Sequence, residues 1–135
     1  MRSRLEPVFL SNVLLFIDDP DSIKSFPFVS RHCREAMRIL KTNPAAFSDS
    51  PRSILKYFPN INTMVVRHFS VLKKDELPDT VTSIVVQGNY NHPSDAARCR
   101  YADRIVRIQS LENSRDRVGL SSFSRLEYLT LVSIR

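Results

Sequence analysis

At 135 residues the chain has room for one ordinary domain, or for two small units sharing a core. Its hydrophobic content of 42% is that of a globular protein, and two glycines are too few for a glycine-rich phosphate loop. The net charge of +6 divides evenly: residues 1–57 hold nine Lys/Arg against six Asp/Glu, and residues 58–135 hold eleven against eight. A nucleic-acid binder usually concentrates positive charge in a run or on one face, so nucleic acid is not the expected partner. The densest basic stretch, Arg98, Arg100, Arg104 and Arg107, is diluted by Asp95 and Asp103. Cys33 and Cys99 lie far apart, without metal-type spacing or a disulfide framework, so reduced thiols and an intracellular, cytoplasmic or nuclear, setting are expected. Neither a membrane span nor a signal peptide is expected. No apolar run nears the roughly 20 residues a bilayer requires, and no small-residue cleavage site follows Met1-Arg2-Ser3-Arg4.

The chain opens with helices. Pro7 suits a first helical turn, and Glu6 adds favourable negative charge there. The run from Val8 to Ile17 is apolar at eight of ten positions. One helical stripe holds Phe9, Val13, Phe16 and Ile17; another holds Leu10, Leu14 and Ile17. A surface helix needs a single stripe of about 100°. The surplus predicts burial on two sides, or one side kept for a partner. Pro20 breaks this helix, and Asp19 or Asp21 can cap the next. Ser22 to Phe26 makes a short helix presenting Ile23 and Phe26, which Pro27 stops or kinks. A third helix is predicted from about Ser30 to Lys41. Its inner face holds Cys33, Ala36, Met37 and Leu40; its outer face holds Arg31, Arg34, Glu35, Arg38 and Lys41. Asn43-Pro44 closes it. Ser50-Pro51 starts a fourth helix, with Ile54, Leu55 and Phe58 on its apolar side and Pro59 at its end.

The second half carries a pattern of the form apolar-x-x-apolar-x-apolar. It reads Ile61, Met64, Val66; Val81, Ile84, Val86; Ile105, Ile108, Ser110; and Leu126, Leu129, Leu131. The starts are 20, 24 and 21 residues apart. Each is preceded by an apolar anchor: Phe58, Leu77, Tyr101 or Phe123. Asn89 and Asn113 stand at the ninth position of the second and third copies, where an amide can bond the turn leaving a strand. The intervals are rich in Ser, Asn, Pro and Arg, so irregular or short-helical connections are expected, and 89–97 reads as the longest loop.

This period is similar to that of leucine-rich repeats, whose unit is roughly 20–29 residues. Repeats of this kind build binding surfaces rather than catalytic clefts. The expected fold is α/β, with a helical head followed by a short repeat solenoid and a parallel sheet of about four strands. Positions four and six of each copy point into the core. Between and beside them, Thr63, Val65, Arg67, Ser83, Val85, Gln87, Arg107, Gln109, Tyr128 and Thr130 face solvent on the concave side, with Val132 at the end of the last strand. This row is the predicted partner-binding surface. The last strand runs almost to Arg135 with no visible capping element. The chain is therefore shortened, or its edge meets a partner, or its end frays.

The head resembles an F-box, over about Leu5–Lys41. Pro7 falls on that family's proline, and Leu10 and Leu14 fall on its helical apolar positions. Asp19-Pro20 fall on its aspartate-proline pair, Ile23 on its leucine, and Val29-Ser30-Arg31 on its valine-serine-arginine run. Glu6, Phe9 and Cys33 depart from the family leucine, glutamate and tryptophan. The combination is similar to the F-box-like leucine-rich repeat proteins abundant in protist multigene families. The resemblance implies an F-box-like helical domain over 1–47 and a repeat domain over 48–135. It also implies docking on a Skp1-type adaptor of a cullin-RING ubiquitin ligase through Pro7, Leu10, Leu14, Pro20 and Ile23, with Val29 and Cys33 packed internally. The repeats would then capture a substrate protein. The alternative is a binding or scaffold module whose helices only cap the solenoid. An enzyme is not expected: His32, His68 and His92 are isolated, no nucleophile–base constellation is visible, and neither cofactor nor metal is implied.

Overall fold

The computed structural model describes residues 6–48, 50–73, 76–88, 91–112 and 120–132. Helices α1 (Pro7–Leu15), α2 (Pro20–Ser25), α3 (Arg31–Ile39) and α4 (Pro51–Tyr57) come first. Strands β1 (Thr63–Val66), β2 (Ser83–Val86), β3 (Ile105–Glu112) and β4 (Tyr128–Val132) follow, with the short helix α5 (Pro93–Ala97) between β2 and β3. The fold is mixed α/β. Its sheet is four-stranded and wholly parallel, in the order β1-β2-β3-β4.

The helix boundaries follow from caps and prolines. Pro7, Pro20, Pro51 and Pro93 each open a helix, at the position that donates no intrahelical bond. The carboxylate of Asp19 caps α2 by accepting from the backbone N–H groups of Asp21 and Ser22. Ser30 Oγ caps α3 by accepting from the Cys33 N–H at 3.2 Å. The inner face of α3 is as read: Cys33, Ala36, Met37 and Leu40 are buried. Phe26–Phe28 form a 3-10 turn rather than an extension of α2. Pro27 imposes this, because it cannot donate to a continuing α-helix.

β1 and β2 alternate half-buried and buried side chains, the pattern of strands with one covered face. Met64 lies beside Ile84, and Val66 beside Val86, all four fully buried. The register with β3 differs from the sequence reading: Ile108 pairs with Val86 rather than with Ile84. The slip is two residues, so the inward face is preserved. Ser110 was expected inside, but Leu111 occupies that place. β3 carries one extra residue between the pairs Ile108–Leu129 and Leu111–Leu131, a bulge that turns Leu111 into the core. Leu131, also expected inside, is exposed, because β4 is the outer strand of the described sheet.

Helices and sheet join through the backbone. Lys41 O accepts from the N–H groups of Asn62 (2.9 Å) and Thr63 (3.0 Å), and Thr42 forms a parallel bridge with Thr63. One strand further on, Asn62 O accepts from Thr82 (2.9 Å) and Ser83 (3.2 Å) in the same way. The chain at 41–43 thus acts as an additional rung that covers the β1 edge. One apolar cluster accordingly includes Leu14, Ile23 and Met37 from the helices as well as Phe58, Met64, Ile84, Ile108 and Phe123. Burying each such side chain contributes about 1.5–3 kcal/mol before the entropy of ordering is subtracted. The four anchors Phe58, Leu77, Tyr101 and Phe123 all lie in this cluster. The connections are 3-10 turns at Phe69–Lys73, Ala102–Arg104 and Leu120–Ser122, together with α5. The stretch read as the longest loop therefore contains a helix, capped by His92.

Candidate functional site

Two surfaces are candidates. The first is the outer side of α1. Its two stripes part company: Leu14 is fully buried and Leu10 half-buried, whereas Val8, Phe9, Val13 and Phe16 are exposed, Phe16 at 87%. α1 packs on α3, which buries the Leu10–Leu14 side and leaves the other uncovered. Phe28 (88%) and Val29 (74%), at and after the 3-10 turn, add exposed apolar surface to the helical region. Isolated exposed apolar residues are ordinary, but several on one short segment mark an interaction face.

The docking residues named from the resemblance do not all lie on this surface. Pro7 and Leu10 are half-buried and Pro20 is exposed. Leu14 and Ile23 are fully buried in the core, so an exposed patch built on them is ruled out. Hydrophobic burial took the residues that α3 and the sheet could reach. Val29, expected inside, is outside, because the chain turns there from the 3-10 segment into the Ser30 cap. Of this face, Phe9, Val13 and Phe16 were present in the sequence as the first stripe of α1; Val8 was in neither stripe, and Ile17, which completed the first, is half-buried against the core.

The second surface is the outward face of the sheet. Thr63, Val65, Ser83, Val85 and Thr130 are half-buried, and Arg67, Gln87, Arg107, Gln109 and Tyr128 are exposed. Strand alternation brings all ten to one side, as expected. The guanidinium of Arg107 lies over the Tyr128 ring at 4.8 Å. Thr130 Oγ1 bonds Tyr128 Oη at 3.2 Å. Arg125, which the sequence pattern did not single out, reaches back across β3. It donates to Thr82 O at 2.6 Å and to Ser83 Oγ at 3.4 Å.

At the C-terminal ends of the strands this face opens into a groove of about 530 Å³, lined by Ala45, Ser48, Arg67, His68, Gln87, Gly88 and Gln109. Gly88 is required there. A Cβ at that position would stand 2.0 Å from Arg67 O and 2.8 Å from the His68 ring, so only glycine lets the chain leave β2 so close to the end of β1.

Asn43 and Asn91 brace the rim of the groove. Asn43 Nδ2 donates to Phe47 O and Val65 O at 2.8 Å each, and its Oδ1 accepts from the Val65 N–H at 2.8 Å. Asn91 Oδ1 accepts from the Phe69 N–H at 3.2 Å, and its Nδ2 donates to Ser110 O at 3.1 Å. Both side chains are buried. The sequence reading placed turn-bonding amides at Asn89 and Asn113, which lie outside the described residues; Asn91 performs that task two positions later.

Reactive chemistry is sparse among the described residues. No group of three His, Cys, Asp or Glu could hold a metal ion. Burial, with the Asp103 carboxylate nearby, pushes the Cys99 thiol up, away from a reactive thiolate. His92 serves its own turn, with Nδ1 accepting from the Ser94 N–H at 3.1 Å. Among the described residues, no helix is long and apolar enough to cross a membrane. Comparison with family models, curated proteins and solved structures returned no match.

Proposed function

We propose that the protein is a non-catalytic recognition adaptor: an F-box-like head that docks on a Skp1-type adaptor of a cullin-RING ubiquitin ligase, followed by a short leucine-rich repeat solenoid that captures a target protein. The observation that carries this reading is the outward stripe Val8, Phe9, Val13 and Phe16 on a helix whose opposite stripe is already in the core. A helix needing only to cap a solenoid would show polar residues there. The solenoid reading draws support from four adjacent parallel strands in sequence order, joined by short connections. Two free cysteines suit an intracellular setting.

A second reading has its own support. Leu14 and Ile23 are buried and the 41–43 segment covers the β1 edge, which is what an N-terminal cap does. In that reading the protein is a binding scaffold without a ligase role. One experiment separates the two: titration of the purified chain with a purified Skp1-type adaptor, followed by calorimetry. The adaptor reading predicts saturable binding that Phe9→Asp with Phe16→Asp abolishes while the fold persists. Absence of binding, or binding indifferent to those substitutions, favours the scaffold.

A further inference from the structure

Between α3 and the end of α4 the helical head carries a groove of about 260 Å³. Its lining is apolar where it is deepest: Met37 is buried, and Pro27 and Tyr57 are half-buried. Its rim holds three exposed cations, Arg34, Arg38 and Lys56. Arg34 and Arg38 stand one turn apart on α3, with about 5–6 Å between their Cβ atoms, so their long side chains reach a common point. Lys56 comes from the last turn of α4. Asn60 Nδ2 donates to Arg38 O at 2.9 Å, which ties the chain after α4 to the end of α3 and holds the two walls together. No acidic residue lines the groove. α4 has none, and Glu35, the acid of α3, meets Arg31 at 3.4 Å instead. Among the described residues, neither arginine of the rim is paired with a carboxylate, and Lys56 Nζ lies 5.9 Å from the centre of the Tyr57 ring. The helix ends claim part of this charge. A helix C-terminus carries about −0.5, so two of them against three cations leave about +2 at the groove.

From this we infer that the groove takes a phosphorylated side chain of a protein partner, its phosphoryl oxygens accepting from the N–H groups of Arg34, Arg38 and Lys56. The site shares no residue with the outward stripe of α1 or with the sheet face, so it goes beyond the function proposed above. A phosphorylated side chain brings about −1.5 to −2 near neutral pH, which matches the charge left at the groove. A single carboxylate brings about −1 and leaves an excess. Each guanidinium can meet the phosphoryl group with two parallel bonds, and such charge-assisted bonds are the strong ones. The carbon stem of the phosphorylated residue rests on Met37 and Tyr57. Phe28 and Val29, both exposed, follow Pro27 in the chain and offer apolar area to its neighbours. An anionic membrane fits less well. Residues 6–48 hold five Lys/Arg against five Asp/Glu, so a surface that averages over the head meets no net charge, whereas a ligand seated in the groove meets the cations alone. Single-stranded nucleic acid also fits less well, because one groove with three cations is not a continuous track for a backbone.

The test is fluorescence anisotropy with the full chain and a labelled glycine–serine peptide carrying one central phosphoserine. The same peptide unphosphorylated, the same peptide with glutamate at that position, and an oligothymidylate of equal length serve as comparisons. Saturable binding of the phosphopeptide is expected, with the glutamate peptide weaker and the unphosphorylated one absent, and inorganic phosphate is expected to displace it. Arg34→Gln and Arg38→Gln are each expected to weaken it about tenfold. Arg98→Gln, which removes the same charge from the end of α5, is expected to leave it unchanged. Phe9→Asp with Phe16→Asp is expected to leave it intact, so failure of this groove reads apart from failure of the α1 face. No binding of the phosphopeptide, equal binding of the unphosphorylated peptide, or equal losses for Arg98→Gln and Arg34→Gln would overturn the inference. So would tighter binding of the oligonucleotide, or capture by phosphatidylserine vesicles that Arg34→Gln abolishes while the phosphopeptide stays unbound.

Discussion

Asn91 ties the start of the 3-10 turn at Phe69–Lys73 to strand β3 at Ser110. Replacing it with alanine strands the Phe69 N–H and the Ser110 carbonyl, and a buried group left without its partner costs about 1–3 kcal/mol. Urea denaturation of Asn91→Ala should show that loss, and Asn43→Ala, which breaks three bonds of 2.8 Å and a longer one to Pro44 O, should show at least as much. Gly88→Ala should destabilise by about 1–3 kcal/mol, since the new methyl must push the Arg67 carbonyl aside. A melting temperature equal to wild type would contradict the close approach of β1 and β2 at that point. Asp19 supplies a pH signature. Bonds from Ser22 and Asp21 hold its carboxyl below the usual aspartate range, so its contribution is present above that range and is lost as acid protonates it, below about pH 4. Circular dichroism should show helical signal falling on acidification in wild type by a step absent from Asp19→Asn; being fully exposed, the group makes the step small. The Asp19 cap was legible in the sequence, as one of two candidates with Asp21, because its partners lie within three residues. The bracing amides were not. The partners of Asn91 lie 22 and 19 residues away, and only a fold brings them together.

The two stripes of α1 give the sharpest contrast at the level of elements. Leu14→Ala should cost about 2–5 kcal/mol, as truncation of a fully buried leucine does. Phe16→Ser, on the same helix, should stay within about 0.5 kcal/mol of wild type, as surface changes usually do. Thermal melts of the two variants, with Phe16→Ser as destabilising as Leu14→Ala, would place the exposed stripe in a core instead. The sequence carried both stripes and could not assign them, because a helical wheel shows which residues share a face and not which face meets a neighbour. α3 was the opposite case. Its polar and apolar sides are so distinct that the buried set Cys33, Ala36, Met37 and Leu40 could be named directly. The β2–β3 register was beyond reach. The pattern of positions one, four and six tolerates a slip of two, since either register keeps the same face inward. The replacement of Ser110 by Leu111 depends on a bulge that only the pairing with β4 reveals.

For the whole molecule, the parallel four-stranded sheet and its helical start were legible because burial repeats at nearly constant intervals, and a chain that buries one strand per interval has few other ways to close its core. The docking surface was harder to read. Resemblance pointed to Leu14 and Ile23, and the core claimed both. The proposed account keeps the docking role for the helical head and moves it to Val8, Phe9, Val13 and Phe16, with the sheet face left for the captured target. The most direct measurement is mass spectrometry of proteins that co-purify with the intact chain, beside the Phe9→Asp, Phe16→Asp variant, scored for a Skp1-type adaptor and a cullin. The account predicts both with the wild type and neither with the variant, at equal recovery of folded protein. A wild type that brings down neither, or a variant that brings down both, would contradict it.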